Sequence, residues 1–118
     1  MVTALAFFAL GAAAMGGCAA EIGDGCTTSV DCSPEGDRMC DIAQRGGYCT
    51  IRDCTPDSCP DDALCVQFGV EQRFQRTFCM QVCDGAGDCR DGYACAAADG
   101  AQLTIVDEDR SGRFCTQE

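Results

Sequence analysis

Apart from its first twenty residues, the chain has no long apolar stretch. Met1–Ala20 carries no charge and centres on Leu5, Phe7, Phe8 and Leu10; every charged residue follows it. Beyond that point large apolar side chains come singly or in short alternations. The clearest alternation is Leu64, Val66, Phe68 and Val70, followed by Phe74, Phe78, Met80 and Val82. Period-two spacing with β-branched and aromatic residues predicts strands over 64–70 and 74–82. Weaker strands are predicted at 93–98 and 103–107. Turn signals separate these runs: Ser33-Pro34-Glu35-Gly36, Gln44-Arg45-Gly46-Gly47, Pro60-Asp61-Asp62, Arg90-Asp91-Gly92 and Asp99-Gly100. Little or no helix is expected after residue 20.

So few apolar residues cannot hold about a hundred residues by burial alone, and covalent or metallic cross-links must add stability. Cysteine supplies them, at 13 of 118 residues. Zinc knuckles use Cys-x2-Cys pairs, often with His; the closest pair here is Cys79-x3-Cys83 and there is no His. A disulfide scaffold in an oxidising compartment is expected.

Twelve cysteines fall into three groups of four: Cys26, Cys32, Cys40 and Cys49; Cys54, Cys59, Cys65 and Cys79; Cys83, Cys89, Cys95 and Cys115. The groups start 28 and 29 residues apart and share further positions. Asp31, Ser58 and Asp88 precede the second cysteine; Met39, Leu64 and Ala94 the third; Tyr48, Phe78 and Phe114 the fourth. The expectation is a small disulfide-rich fold of three tandem four-cysteine knots, at 26–49, 54–79 and 83–115. Each would comprise a turn-rich half and a β-hairpin, joined by short linkers into a rod. Spacing alone leaves three connectivities open in each group. The expected one is crossed, first to third and second to fourth, because crossed bridges pin the turn-rich half onto the hairpin. That gives Cys26–Cys40, Cys32–Cys49, Cys54–Cys65, Cys59–Cys79, Cys83–Cys95 and Cys89–Cys115. The hairpin segment lengthens from eight to thirteen to nineteen residues across the groups. Variable loops on a constant frame are where recognition is expected.

The thirteenth cysteine is Cys18, after Met15-Gly16-Gly17. An apolar run ending in small residues before a Cys resembles the lipobox of bacterial lipoproteins. That resemblance implies a signal peptide over 1–17, a lipid on Cys18, and an anchored linker over 18–25. Removing Cys18 leaves an even twelve. Ala19 rather than Asp after the Cys implies, by the same resemblance, the outer membrane; a chain without the lipid would be secreted. A plain cleaved signal and an uncleaved membrane span are the alternatives.

The net charge is −11, and all eight bases are Arg. Such a chain is ill suited to a phosphate backbone, so no nucleic-acid partner is expected. Lack of His removes the usual general base and the Ser-His and Cys-His designs. Lack of Lys removes Schiff-base chemistry. No enzymatic activity is expected.

Acidic clusters raise calcium as the one cofactor to consider. Asp107-Glu108-Asp109-Arg110-Ser111-Gly112 continuing to Glu118 resembles the EF-hand loop. That resemblance implies Asp107, Asp109, Ser111 and Glu118 as ligands. Cys83 to Gly92 resembles the end of a low-density-lipoprotein-receptor class A repeat, implying Asp84 and Asp88. The alternative in both places is an acidic loop with no ion.

Over 26–115 the chain resembles the cysteine-rich repeats of myxobacterial lipoproteins. It is also similar to the N-terminal cysteine-rich region of Dickkopf-type proteins, through Asp31-Cys32, Gly92-Tyr93 and Gly47-Tyr48-Cys49. Neither resemblance implies catalysis. The expected function is a lipid-anchored binding or adhesion module, its partner an extracellular or envelope protein or a glycan. An envelope spacer and a small protease inhibitor, presenting Arg73 and Arg76 on the loop 72–77, are the competing readings.

Overall fold

The structure is a computed structural model in which residues 20–33, 36–69, 75–100 and 102–118 are described. The signal peptide expected over 1–17, together with Cys18, Val70, Arg73 and Phe74, therefore lies outside the described residues. The fold is small, disulfide-rich and almost all β. Its strands are β1 (Met39–Cys40), β2 (Cys49–Thr50), β3 (Ala63–Phe68), β4 (Arg76–Cys83), β5 (Tyr93–Ala96), β6 (Leu103–Ile105) and β7 (Arg113–Gln117). Among the described residues helix is confined to one turn at Ser29–Cys32 and a 3-10 turn at Ala86–Asp88.

Each group of four cysteines contributes an antiparallel pair: β1 with β2, β3 with β4, and β5 with β7. In every pair the third and fourth cysteines stand directly opposite: Cys40 with Cys49, Cys65 with Cys79, Cys95 with Cys115. Opposed residues of an antiparallel pair project from the same face. The two sulfurs therefore point side by side toward the turn-rich half, which carries the first and second cysteines. Bridges join Cys26–Cys40 and Cys32–Cys49, Cys54–Cys65 and Cys59–Cys79, Cys83–Cys95 and Cys89–Cys115.

The residue before the second cysteine has one job in all three groups. The Asp31 carboxylate accepts the N–H groups of Thr27 and Thr28 at 2.9 and 3.0 Å. Asp88 accepts those of Asp84 and Gly85 at 2.9 and 3.2 Å. The Ser58 hydroxyl accepts that of Thr55 at 3.0 Å. Each side chain satisfies amides that a single turn leaves without a carbonyl partner.

The groups do not form the expected rod of separate knots. Strands of the second and third share one five-stranded sheet, in the order β5-β7-β4-β3-β6. One buried cluster draws on all three groups, including Tyr48, Leu64, Val66, Met80, Tyr93 and Phe114, with Ile22 from the leading segment. The physical reason is size. A unit of some 25–30 residues cannot bury its own apolar side chains, so neighbours supply the other wall. The strand expected at 103–107, within the long insert of the third group, is present. Its residues Leu103–Ile105 form β6 and cover the open edge of β3.

The far edge of β4 is covered piecemeal. Asp53 N–H donates to Thr77 O at 2.8 Å, and Cys79 N–H to Ile51 O at 3.0 Å. The Thr50 hydroxyl donates to Cys79 O at 2.7 Å. At the other end, Val82 and Cys83 pair with Phe114 and Arg113 of β7. The next step of that register would join Gln81 to Cys115. There the Tyr48 hydroxyl stands between the strands, accepting Gln81 N–H at 2.9 Å and donating to Cys115 O at 3.1 Å. A side chain of the first group thus fills one rung of a ladder built by the other two. Gly47, just before it, has φ +76°, and a Cβ there would overlap the Cys26 carbonyl.

Candidate functional site

Four of the seven described arginines serve the fold, which separates them from those that can serve a partner. In a turn-rich chain many carbonyls lie outside ladders, and a guanidinium has five donors in a fixed fork. Arg90 donates to Arg45 O at 3.0 Å, to Gly47 O, and to the Tyr93 hydroxyl at 3.0 Å. It also lies over the Tyr93 ring, 4.6 Å from its centre. Arg110 donates to Cys59 O at 2.6 Å and Pro60 O at 3.0 Å. Arg38 donates to Ala20 O at 2.6 Å, and Arg113 to Asp84 O.

Arg52 and Arg76 are different. Both are exposed. Arg52 lies 4.0 Å from the Asp53 carboxylate, and Arg76 donates to the adjacent Gln75 O. Both stand where the second hairpin leaves the core. On its inner face Leu64, Val66 and Met80 are buried, whereas Phe68 and Phe78 are only half-buried. The two rings meet edge to face, 5.8 Å between centres. Beside them opens a groove of about 370 Å³, bounded by Asp41 and Gln44 of the first group, Arg76 of the second and Gln117 of the third. An apolar floor with a few polar groups at its margin is the usual composition of a ligand site. Arg76 also borders a second open depression of about 560 Å³, with Arg52, Asp53 and Gln67.

The residues expected to bind calcium are placed as follows. Asp107 accepts the N–H groups of Asp57 and Cys65 at 2.7 and 3.0 Å. The Asp57 carboxylate in return accepts those of Glu108 and Asp109, at 3.3 and 3.0 Å. This reciprocal stitch fastens the third group's insert to the second group. Ser111 and Glu118 are separated by the extended strand β7, so an EF-hand loop cannot close around Asp107, Asp109, Ser111 and Glu118. Asp84 is exposed and its amide is held by Asp88, whose carboxylate is engaged in its turn. Within each cysteine group at least three sulfurs lie within 4.8 Å of one another. They belong to neighbouring disulfides, which offer no thiolate to a metal.

Of the inhibitor loop, Arg73 lies outside the described residues; Arg76 is the first residue of β4, opposite Phe68. Nothing in the sequence pattern marks Phe68, Phe78, Arg52, Arg76, Asp41 and Gln44 as neighbours of one groove: Phe68 and Phe78 read as strand and repeat positions, and Gln44 as part of a turn. The available signal was the apolar alternation of β3 running on toward the tip of the hairpin. Among the described residues no helix is long and apolar enough to cross a membrane. No protein-family model, curated protein or solved structure matches the chain.

Proposed function

We propose that this protein is a non-enzymatic, lipid-anchored, disulfide-stabilised extracytoplasmic module for binding or adhesion. The observation that carries this reading is the half-buried Phe68–Phe78 pair in an open groove, on a frame held by six disulfides. A partly buried aromatic pair at the floor of an open groove offers surface for an apolar group of a partner to cover. The disulfides support an oxidising compartment, the lipobox-like Met15–Cys18 supports an acyl anchor on Cys18, and Ala19 rather than Asp after it supports the outer membrane. Three copies of one four-cysteine unit, at 26–49, 54–79 and 83–115, account for the common cysteine register and for the shared role of Asp31, Ser58 and Asp88.

Purified, oxidised protein screened on glycan arrays and peptide libraries tests the binding reading. The expected result is a ligand lost both on reduction and in Phe78→Ser. Indifference to every ligand class would leave an envelope spacer. Inhibition of a trypsin-like protease, lost on changing Arg76, would instead favour the inhibitor reading, which the exposure of Arg76 supports. Intact-mass spectrometry of the protein from native membranes tests the anchor. Loss of residues 1–17, an added acyl mass, and twelve thiols that alkylate only after reduction are expected. A full-length, unmodified chain would refute the anchor.

A further inference from the structure

The charge distribution narrows what the groove can hold. The chain carries −11 overall, so an anionic partner is repelled by most of its surface. Arg38, Arg90, Arg110 and Arg113 have guanidinium donors turned onto main-chain carbonyls far along the chain, whereas Arg76 reaches only the adjacent Gln75 O. Arg52 and Arg76 face one depression together, with two guanidiniums against the single carboxylate of Asp53 and with Gln67 and Gln75 as further donors. Arg76 is also a wall of the aromatic groove, whose other margin carries Asp41, its carboxylate already accepting Ala43 N–H and the Gln44 side-chain amide. Apolar floor and cationic wall are therefore contiguous.

We propose that the ligand of this surface is a peptide segment bearing a carboxylate next to an apolar side chain. The carboxylate is held between Arg52 and Arg76, and the apolar group lies on Phe68 and Phe78. This rests on the reading of the protein as a binding module and specifies that module's ligand. Guanidinium forks match the planar carboxylate and bind it through paired hydrogen bonds. An extended acidic membrane surface is disfavoured, because it would meet the whole negative charge of the chain at once. An uncharged sugar would add no counter-charge to the two guanidiniums, which share the single carboxylate of Asp53.

A random peptide library displayed on phage, selected on the immobilised, oxidised full chain, tests this. Selected peptides should be enriched in Asp or Glu beside Phe, Leu or Ile. Their binding should weaken at least tenfold in the double variant Arg52→Gln/Arg76→Gln, weaken in Phe78→Ser, and fall with rising salt. Intact mass before and after reduction verifies that both variants retain their disulfides. Peptides without an acidic bias, or binding that survives the double variant, would overturn the inference and leave the binding module standing. If no peptide is retained and glycan arrays are also blank, both readings fall. Arginine-dependent binding to phosphatidylglycerol vesicles, with no peptide retained, would overturn the peptide ligand in favour of a lipid headgroup.

Discussion

Replacing Tyr48 by Phe removes one oxygen and should loosen the joint between all three cysteine groups. The ring would stay, with its contact to Tyr93 at 5.5 Å between centres. The hydroxyl alone bridges Gln81 N–H and Cys115 O across the gap between β4 and β7. Tyr48 is 1% exposed, so water has little access to the groups it leaves behind. A buried amide or carbonyl without a partner costs about 1–3 kcal/mol. One amide and one carbonyl are orphaned, and the strands can shift to recover part of the loss; the expected destabilisation is about 2–4 kcal/mol. Guanidinium unfolding with disulfides intact would show it as a lower midpoint at unchanged slope. Hydrogen exchange at Gln81 should speed up, while exchange at Leu64 and Val66 in the β3–β4 ladder should change only with global stability. A loss below about 0.5 kcal/mol, with Gln81 still protected, would mean that the hydroxyl is not a rung of the sheet.

The remaining expectations concern the turns and the charges. Gly47→Ala cannot keep both its positive φ and the approach of the Cys26 carbonyl, so the yield of the fully bridged form on oxidative refolding should drop sharply. Arg90→Lys keeps the charge but loses the fork that serves Arg45 O, Gly47 O and the Tyr93 hydroxyl. It should cost about 1–2 kcal/mol and expose the bond after Arg45 to trypsin, read by the unfolding midpoint and by peptide mapping. The amides of Thr27 and Thr28 hold Asp31 below the usual carboxylate range, and those of Asp84 and Gly85 do the same for Asp88. A depressed native value gives stability that is complete above the unfolded value near ~4 and is lost as pH falls through the native one. Asp31→Asn with Asp88→Asn should therefore flatten the acid limb of a stability-versus-pH curve. Burial pushes Tyr48 up to about 12, so the phenol contributes stability below its unfolded value near ~10 that is lost as pH rises through the native value. Ultraviolet titration should show one tyrosine ionising late, and Tyr48→Phe should remove that step.

The local chemistry of the chain is legible in its residues alone. Cysteine content without His or Cys-x2-Cys implied disulfides. The alternation from Leu64 onward located β3 and β4, and Gly46-Gly47 located the first turn. The recurring Asp31, Ser58 and Asp88 marked one position, although their role as acceptors for upstream amides emerged only from the fold. These features are legible because each depends on neighbours a few residues away. What lay beyond that range was decided by tertiary structure. Residues 103–105 alternate like any short strand, and nothing local says that they pair with β3 rather than with their own hairpin. Tyr48 and Phe114 occupy the same position in their groups, but only Tyr48 has a hydroxyl placed in a gap between two distant strands. Asp107 is one acid among several until Asp57 and Cys65 present their amides to it. The Phe68–Phe78 groove exists because the inner face of the second hairpin extends past the cover that the first and third groups provide. Its extent is set by how three units, each too small to enclose a core, divide one core between them.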